Sequence, residues 1–438
     1  MREAQPLLDG ERIGDDLLKN TFRNPPGVPV FPPTRSTLLV GARGSGKTTL
    51  LKHTEATERA CAVYCDLRTV FNELSADTGA GGLSFDQIPQ KTEGLIQDKA
   101  IALLMIAVSR KITTRLQLTA DPYLSNALEH LWPNMPNGSN TSSEWIQRNV
   151  ATFEPSKFRA KPNFQDLYDY LDAMHRLVEG KTRTGLLLLI DRAEEIPYPA
   201  LTPIIQLLDQ SRPFQAIVAS RPGMIGLSTN LSFSLPRPGD HYAIYHLGAS
   251  PYSDDWQSFQ RKVMTAWIPR TLQEIPATAL ATILKVSRDS IRTALELAYN
   301  SLNEEGKFDP SRFNLAFENL QHSLLDAANG TARSIGIDLA HITKDIRKKY
   351  RNYRLPVKIR VTDLQKKTEQ KQLTFLDDGG DTKMSPRLER FIRIGLRTWF
   401  FSTLHGESWS PNSVPEVVEI NPIFLWYPSV KWMDEPTK

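Results

Sequence analysis

Residues Gly41–Thr48 read Gly-Ala-Arg-Gly-Ser-Gly-Lys-Thr, a complete G-x-x-x-x-G-K-[ST] phosphate-binding loop. Such a loop works only between a buried strand and a helix. The strand delivers it, the glycines let successive N–H groups turn inward onto phosphates, and the helix sets its positive N-terminus beneath them. Both flanks fit. Ser36-Thr37-Leu38-Leu39-Val40 is a short apolar run suited to a buried parallel strand, and Lys47–Arg59 reads as a helix. The candidate nucleotide contacts are therefore Gly41, Arg43, Gly44, Ser45, Gly46, Lys47, Thr48 and Thr49. Lys47 would reach the β- and γ-phosphates of ATP, and Thr48 would offer its hydroxyl to Mg²⁺.

The remaining α/β signals follow the same logic. Ala60–Asp66 is a second strand, completing a β-α-β unit after the loop helix. Gly185–Ile190 is an unbroken apolar run ending at Asp191, and Gln215–Ser220 is another, ending at Arg221-Pro222-Gly223. Tyr242–Leu247 reads as a further strand. Helices are expected at Gly94–Leu116, Pro122–Trp132, Asn163–Glu179 and Ala200–Gln210, the first three largely in a helical insertion at about residues 80–180. A parallel α/β core over residues 1–250 is the expected architecture. Helices at Asp254–Thr265, Pro276–Leu284 and Ser287–Glu304 would form a helical lid over 251–305, followed by helices at Asp309–Asn329 and Ile335–Tyr353.

Asp191 stands where a carboxylate at the carboxyl end of a central strand meets the phosphate loop, the place from which Mg²⁺ is held directly or through water. The acids that follow it, Glu194 and Glu195, are both candidates for the base that polarises an attacking water, and their spacing does not separate them.

With these residues in view, the chain resembles the AAA+/STAND branch of P-loop ATPases, which includes the NACHT group, and bacterial relatives of the origin-recognition-complex initiators. Asp191-Arg192-Ala193-Glu194-Glu195 is similar to the D-G-h-D-E motif of that branch. Arg192 departs from the initiator pattern, where an acid follows the first Asp directly, and favours the STAND-like variant. Ala219-Ser220-Arg221-Pro222 resembles the strand end where a polar residue senses the γ-phosphate, so the resemblance makes Ser220 and Arg221 first-sensor candidates. Ser287–Leu297 resembles the lid helix whose arginine touches the phosphates, which implies Arg292, or alternatively Arg288, as second sensor. The resemblance implies an ATP-driven switch with ATP and Mg²⁺ as cofactors. It also implies an oligomer on ATP binding, a protein effector or sensor as partner, and a role in bacterial antiphage defence.

Charge adds a second candidate partner. The chain has 438 residues and a net charge of +4, yet between Lys344 and Lys371 eleven Lys/Arg face three Asp/Glu, leaving the rest net acidic. Such asymmetry fits nucleic acid as well as a solvated face. Ser385-Pro386 would start a helix over Arg387–Phe401 carrying Arg387, Arg390, Arg393 and Arg397 on one face. Leu404–Trp409 and Val417–Ile420 would then form a two-stranded wing, so residues 306–438 resemble a basic linker and a winged-helix-like domain able to contact DNA. Asp377, Asp381 and Lys383 mimic a nuclease centre but lie in a Gly/Asp-rich loop without a supporting strand, and the eight histidines have no metal-binding spacing.

Cys61 and Cys65 face the same side of one strand, which fits packing in a reducing compartment. Met1–Asn20 carries acids and no apolar core, and no apolar stretch is long enough to span a bilayer, so a cytoplasmic location and no membrane partner are expected. Two rival functions remain: an initiator- or transposition-type ATPase that loads on or remodels DNA, and a nucleotide-binding scaffold with negligible turnover.

Overall fold

The computed structural model describes residues 15–28, 35–57, 61–68, parts of 101–112, 164–195, 204–209, 212–221, 242–248, 251, 253–333, 357–360, 401–403 and 417–424. Five strands form one parallel sheet: β1 (Thr37–Gly41), β2 (Cys61–Asp66), β3 (Leu186–Asp191), β4 (Gln215–Ser220) and β5 (Ala243–Leu247). Their spatial order is β2-β3-β4-β1-β5. The strand bearing the phosphate loop and the strand ending in Asp191 are therefore not neighbours. β4 lies between them, with Val40 opposite Ser220 and Ile190 opposite Val218.

The sheet is an α/β core with helices on both faces, and the alternation along β3 explains why its sequence is continuously apolar. Leu186, Leu188 and Ile190 face one cluster, in which Leu167, Leu171 and Met174 of α3 (Phe164–Thr182) pack. Leu187 and Leu189 face the opposite cluster, closed by Leu50 and Leu51 of α2 (Lys47–Thr57). A strand buried on both faces has no polar side to show. Cys61 and Cys65 are buried in the first cluster, where burial pushes the Cys65 thiol up to about 12. The described residues within 101–112 are helical, and Ile101, Leu104, Met105, Val108 and Ile112 join that cluster. Preceding the sheet is a short helix, α1 (Asp15–Thr21).

The lid holds one helix more than expected. It comprises α4 (Asp254–Trp267), α5 (Pro269–Glu274), α6 (Ala277–Ser287) and α7 (Ile291–Asn300). Pro269 occupies the first turn of α5, where its missing N–H costs nothing, so it starts a helix rather than ending one. The expected helix Ser287–Glu304 is cut at its start. Arg288 takes φ +51° as the cap of α6, and Ser290 caps α7 by accepting from the Thr293 N–H at 3.3 Å. Trp256 Nε1 and Gln260 Nε2 each donate to the Arg288 carbonyl at 2.9 Å, fixing this turn from α4. Of the expected helix Ala200–Gln210, Ile204–Gln206 is helical and a turn follows.

The helical unit runs past residue 305. Phe313 and Phe317 of α8 (Pro310–Arg333) belong to the same apolar cluster as Trp256, Met264 and Ile283. That cluster also takes in Ile423 and Phe424, both fully buried, from a short turn at Pro422–Phe424. Asn421 organises the turn, its side-chain oxygen accepting from the Ile423 N–H at 3.1 Å, and Gln321 Nε2 of α8 donates to the Ile423 carbonyl. Directly before this plug is β8 (Val417–Ile420), the middle strand of an antiparallel sheet with β6 (Val357–Arg360) and β7 (Phe401–Thr403).

The expected strand Val417–Ile420 is present as β8, paired with β6 and β7 rather than in the expected two-stranded wing. Phe401, expected to end a helix, opens β7 instead. The expected helices Pro122–Trp132, Ile335–Tyr353 and most of Arg387–Phe401 lie outside the described residues, as do Leu404–Trp409, Asp377–Lys383 and most of the basic segment. Among the described residues no helix is long and apolar enough to cross a membrane.

Candidate nucleotide site

The phosphate loop has the backbone its glycines allow. Gly44 and Gly46 have φ of +82° and +96°, in the left-handed region that an L side chain resists. Gly44 is constrained a second time, because a Cβ there would meet Ser290 Oγ at 2.5 Å and Arg292 Cβ at 2.8 Å. Lys47 is buried, and its ammonium donates to the carbonyls of Gly41 at 2.6 Å and Ala42 at 2.9 Å. Burial lowers the Lys47 pKa, against the opposing pull of the Glu194 and Asp191 carboxylates. The Ser45 hydroxyl is buried without a protein hydrogen-bond partner.

Asp191 sits at the end of β3, fully buried, with each carboxylate oxygen engaged. Oδ2 accepts from the Thr48 hydroxyl at 2.6 Å and from the Tyr64 hydroxyl at 2.9 Å, while Oδ1 accepts from the Arg192 backbone N–H at 2.9 Å. Burial raises the Asp191 pKa, and the Thr48 hydrogen bond is the largest effect opposing it. After Asp191 the chain turns sharply, Arg192 adopting φ +60° and pairing with Asp66 at 3.3 Å. This turn swings Ala193–Glu195 into a single 3-10 turn that carries Glu194 inward.

The two acids that spacing left equivalent are not equally described. Glu194 is 2% exposed, and Arg221 Nε pairs with its Oε1 at 3.0 Å; Oε2 is buried with no hydrogen-bond partner. The Glu195 side chain lies outside the described residues. Arg221 reaches Glu194 because β4 lies beside β3, and Ser220, fully buried between the loop strand and the Asp191 strand, donates to the Arg221 carbonyl at 3.3 Å.

The lid closes the other side. The Arg292 N–H donates to the Gly44 carbonyl at 3.2 Å, tying the first turn of α7 to the loop. A cleft, part of it open to solvent, runs between them. Its lining combines the polar residues Gly44–Thr49 and Arg292 with the apolar Phe22, Val263, Trp267 and Leu295. Arg43 is exposed on the loop, and its charge and that of Arg292 both act on Glu296 of α7, whose pKa burial raises. Arg288 is buried at the α6 cap with its guanidinium 4.0 Å from Asp289 and is not part of the cleft lining.

The structure therefore brings together the loop residues, Asp191, Glu194, Ser220, Arg221 and Arg292 at one end of the sheet. Sequence reasoning missed Tyr64, Asp66 and the apolar wall, whose places depend on strand register and on the lid fold. No family model matches the chain, and no curated protein matches it in sequence.

The donor set fits a nucleotide with a magnesium ion. A concave loop with a buried ammonium offers charge to phosphates, and a hydroxyl–carboxylate pair offers two hard oxygens. Among the described residues no group of three or more His, Cys, Asp or Glu gathers as a metal cluster. Mg²⁺ needs none, since it takes one or two protein oxygens and fills the rest of its shell with phosphate and water.

Proposed function

We propose that the protein is a Mg²⁺·ATP-dependent conformational switch with ATPase activity. The observation that carries this reading is the junction of loop and lid: Gly44 of the phosphate loop accepts the Arg292 N–H, so ligand at the loop is felt directly by α7. Lys47 binds the phosphates by exchanging its two carbonyl partners for phosphate oxygens. Thr48 and Asp191 hold Mg²⁺, which when bound supplies charge neutralisation at the phosphates. Glu194, freed from Arg221, accepts a proton from the attacking water, and Arg221 becomes available to the γ-phosphate. Arg292 lines the cleft and contacts ATP and ADP differently, which is the differential interaction a switch requires.

Family resemblance extends the reading to a protein effector or sensor as the target, ATP-linked oligomerisation and a place in bacterial antiphage defence. A DNA-loading ATPase is the second reading, favoured by the basic surplus around β6, which itself carries Lys358 and Arg360.

Steady-state ATP hydrolysis by the wild type, Glu194→Gln and Glu195→Gln, with and without duplex DNA, tests both. Glu194→Gln should lower turnover by ~100-fold or more, the scale of losing a general base, and Glu195→Gln should not. DNA stimulation that weakens with added salt supports the second reading. Undiminished turnover in Glu194→Gln would overturn its assignment as base.

A further inference from the structure

We infer that Tyr64 is a positioning residue for the metal-side carboxylate, its hydroxyl holding Asp191 in the orientation that Mg²⁺·nucleotide needs. This rests on the nucleotide reading above. Tyr64 lies on β2 opposite Leu189, two residues before the facing pair Asp66 and Asp191, and packs on the α2 side of the sheet. From there its hydroxyl reaches Asp191 Oδ2 at 2.9 Å.

The ring is held by the same helix that carries the metal-side hydroxyl. Thr48, Lys52 and Glu55 are spaced i, i+4 and i+7, so they share one face of α2. Glu55 Oε1 accepts the Tyr64 backbone N–H at 3.3 Å, and the Lys52 ammonium lies 5.5 Å from the ring centroid, within cation–π range. Thr48 meets Asp191 Oδ2 directly at 2.6 Å.

The two hydroxyls on Oδ2 are not equivalent. Thr48 belongs to the loop, and as a metal ligand its oxygen would bond more weakly to the carboxylate. Tyr64 stands off the loop and keeps its bond. With the Arg192 N–H on Oδ1, Tyr64 on Oδ2 then fixes the plane of the buried carboxylate. Outer partners of this kind set ligand orientation, and their loss costs about 10–100-fold in metal affinity.

Binding of a fluorescent ATP analogue, titrated with Mg²⁺ and repeated in excess EDTA, separates this role from simple packing. Tyr64→Phe keeps the ring, and its fold is checked by thermal unfolding before titration. The half-saturating Mg²⁺ concentration should rise about tenfold, with nucleotide affinity in EDTA unchanged within about twofold. An unchanged Mg²⁺ dependence in Tyr64→Phe overturns the inference, as does an equal loss with and without Mg²⁺. A wild type that binds no nucleotide in response to Mg²⁺ overturns the nucleotide reading instead.

Discussion

The phosphate end of the sheet and the core of the lid are buried to a similar degree, yet they are made of opposite materials. At the sheet end Lys47, Asp191, Glu194 and Ser220 are all under a tenth exposed, and their pairings cross four strands and a loop. In the lid Trp256, Met264, Ile283, Phe313 and Phe424 meet in one apolar cluster. Burying apolar surface stabilises a fold, whereas burying charge costs solvation that pairing returns only in part. The contrast teaches where each region's free energy goes: the lid core supports the fold, and the sheet end keeps buried charges that packing alone does not require. Substitutions in the two regions should therefore fail differently.

The largest stability effect belongs to the lid. Phe424→Ala empties the site filled by the C-terminal plug and should cost about 3–5 kcal/mol in chemical denaturation. Nucleotide affinity of the folded protein should change far less, and a reverse ranking of the two losses would break the comparison. Gly44→Ala should come next, at about 1–3 kcal/mol for a side chain forced into φ +82° against Ser290 and Arg292. Because Gly44 is where loop and lid meet, this variant should lose both stability and nucleotide affinity.

Asp191→Asn should act in the opposite direction on stability. Burial raises the Asp191 pKa, so the folded protein binds that proton more tightly than the unfolded chain. This contribution is fully present below the unfolded value of 3.8 and is lost as pH rises through the folded value. The Asn variant lacks that loss. It should be more stable than the wild type at neutral pH, with the gain shrinking toward pH 4, while Mg²⁺-dependent binding disappears. Unfolding midpoints across that pH range check the sign. The smallest effect is expected at Lys307→Ala, whose partner Glu305 lies 3.4 Å away with both side chains exposed. It should change stability by less than about 0.5 kcal/mol and leave nucleotide binding intact.

The same contrast governs what could be read from the chain. β1, the loop and α2 were legible because the glycine and lysine spacing admits few backbones, and β3 because an unbroken apolar run ending in Asp191 fits a strand buried on both faces. Arg292 was legible as a residue but not as a contact, since its N–H reaches Gly44 only after Trp256 and Gln260 fix the Arg288 turn. Strand order was not legible. Without knowing that β4 separates β1 from β3, nothing in the sequence pairs Arg221 with Glu194, 27 positions apart, or Tyr64 with Asp191, 127 positions apart. The short helix α5 was not read at all, although Pro269 in its first turn is compatible with a helix start. The plug at Asn421–Phe424 reads as an ordinary turn until the cavity that receives it exists.

On the proposed reading the loop at Gly41–Thr48 binds Mg²⁺·ATP through Lys47. Isothermal titration calorimetry of Mg²⁺·ATP into the wild type and Lys47→Ala, both shown to be folded, tests it most directly. Saturable binding by the wild type that weakens by ~100-fold or more in Lys47→Ala is the predicted result, the scale of losing a charged hydrogen-bonding group from a buried site. Equal binding by the two proteins, or none by the wild type, would contradict it.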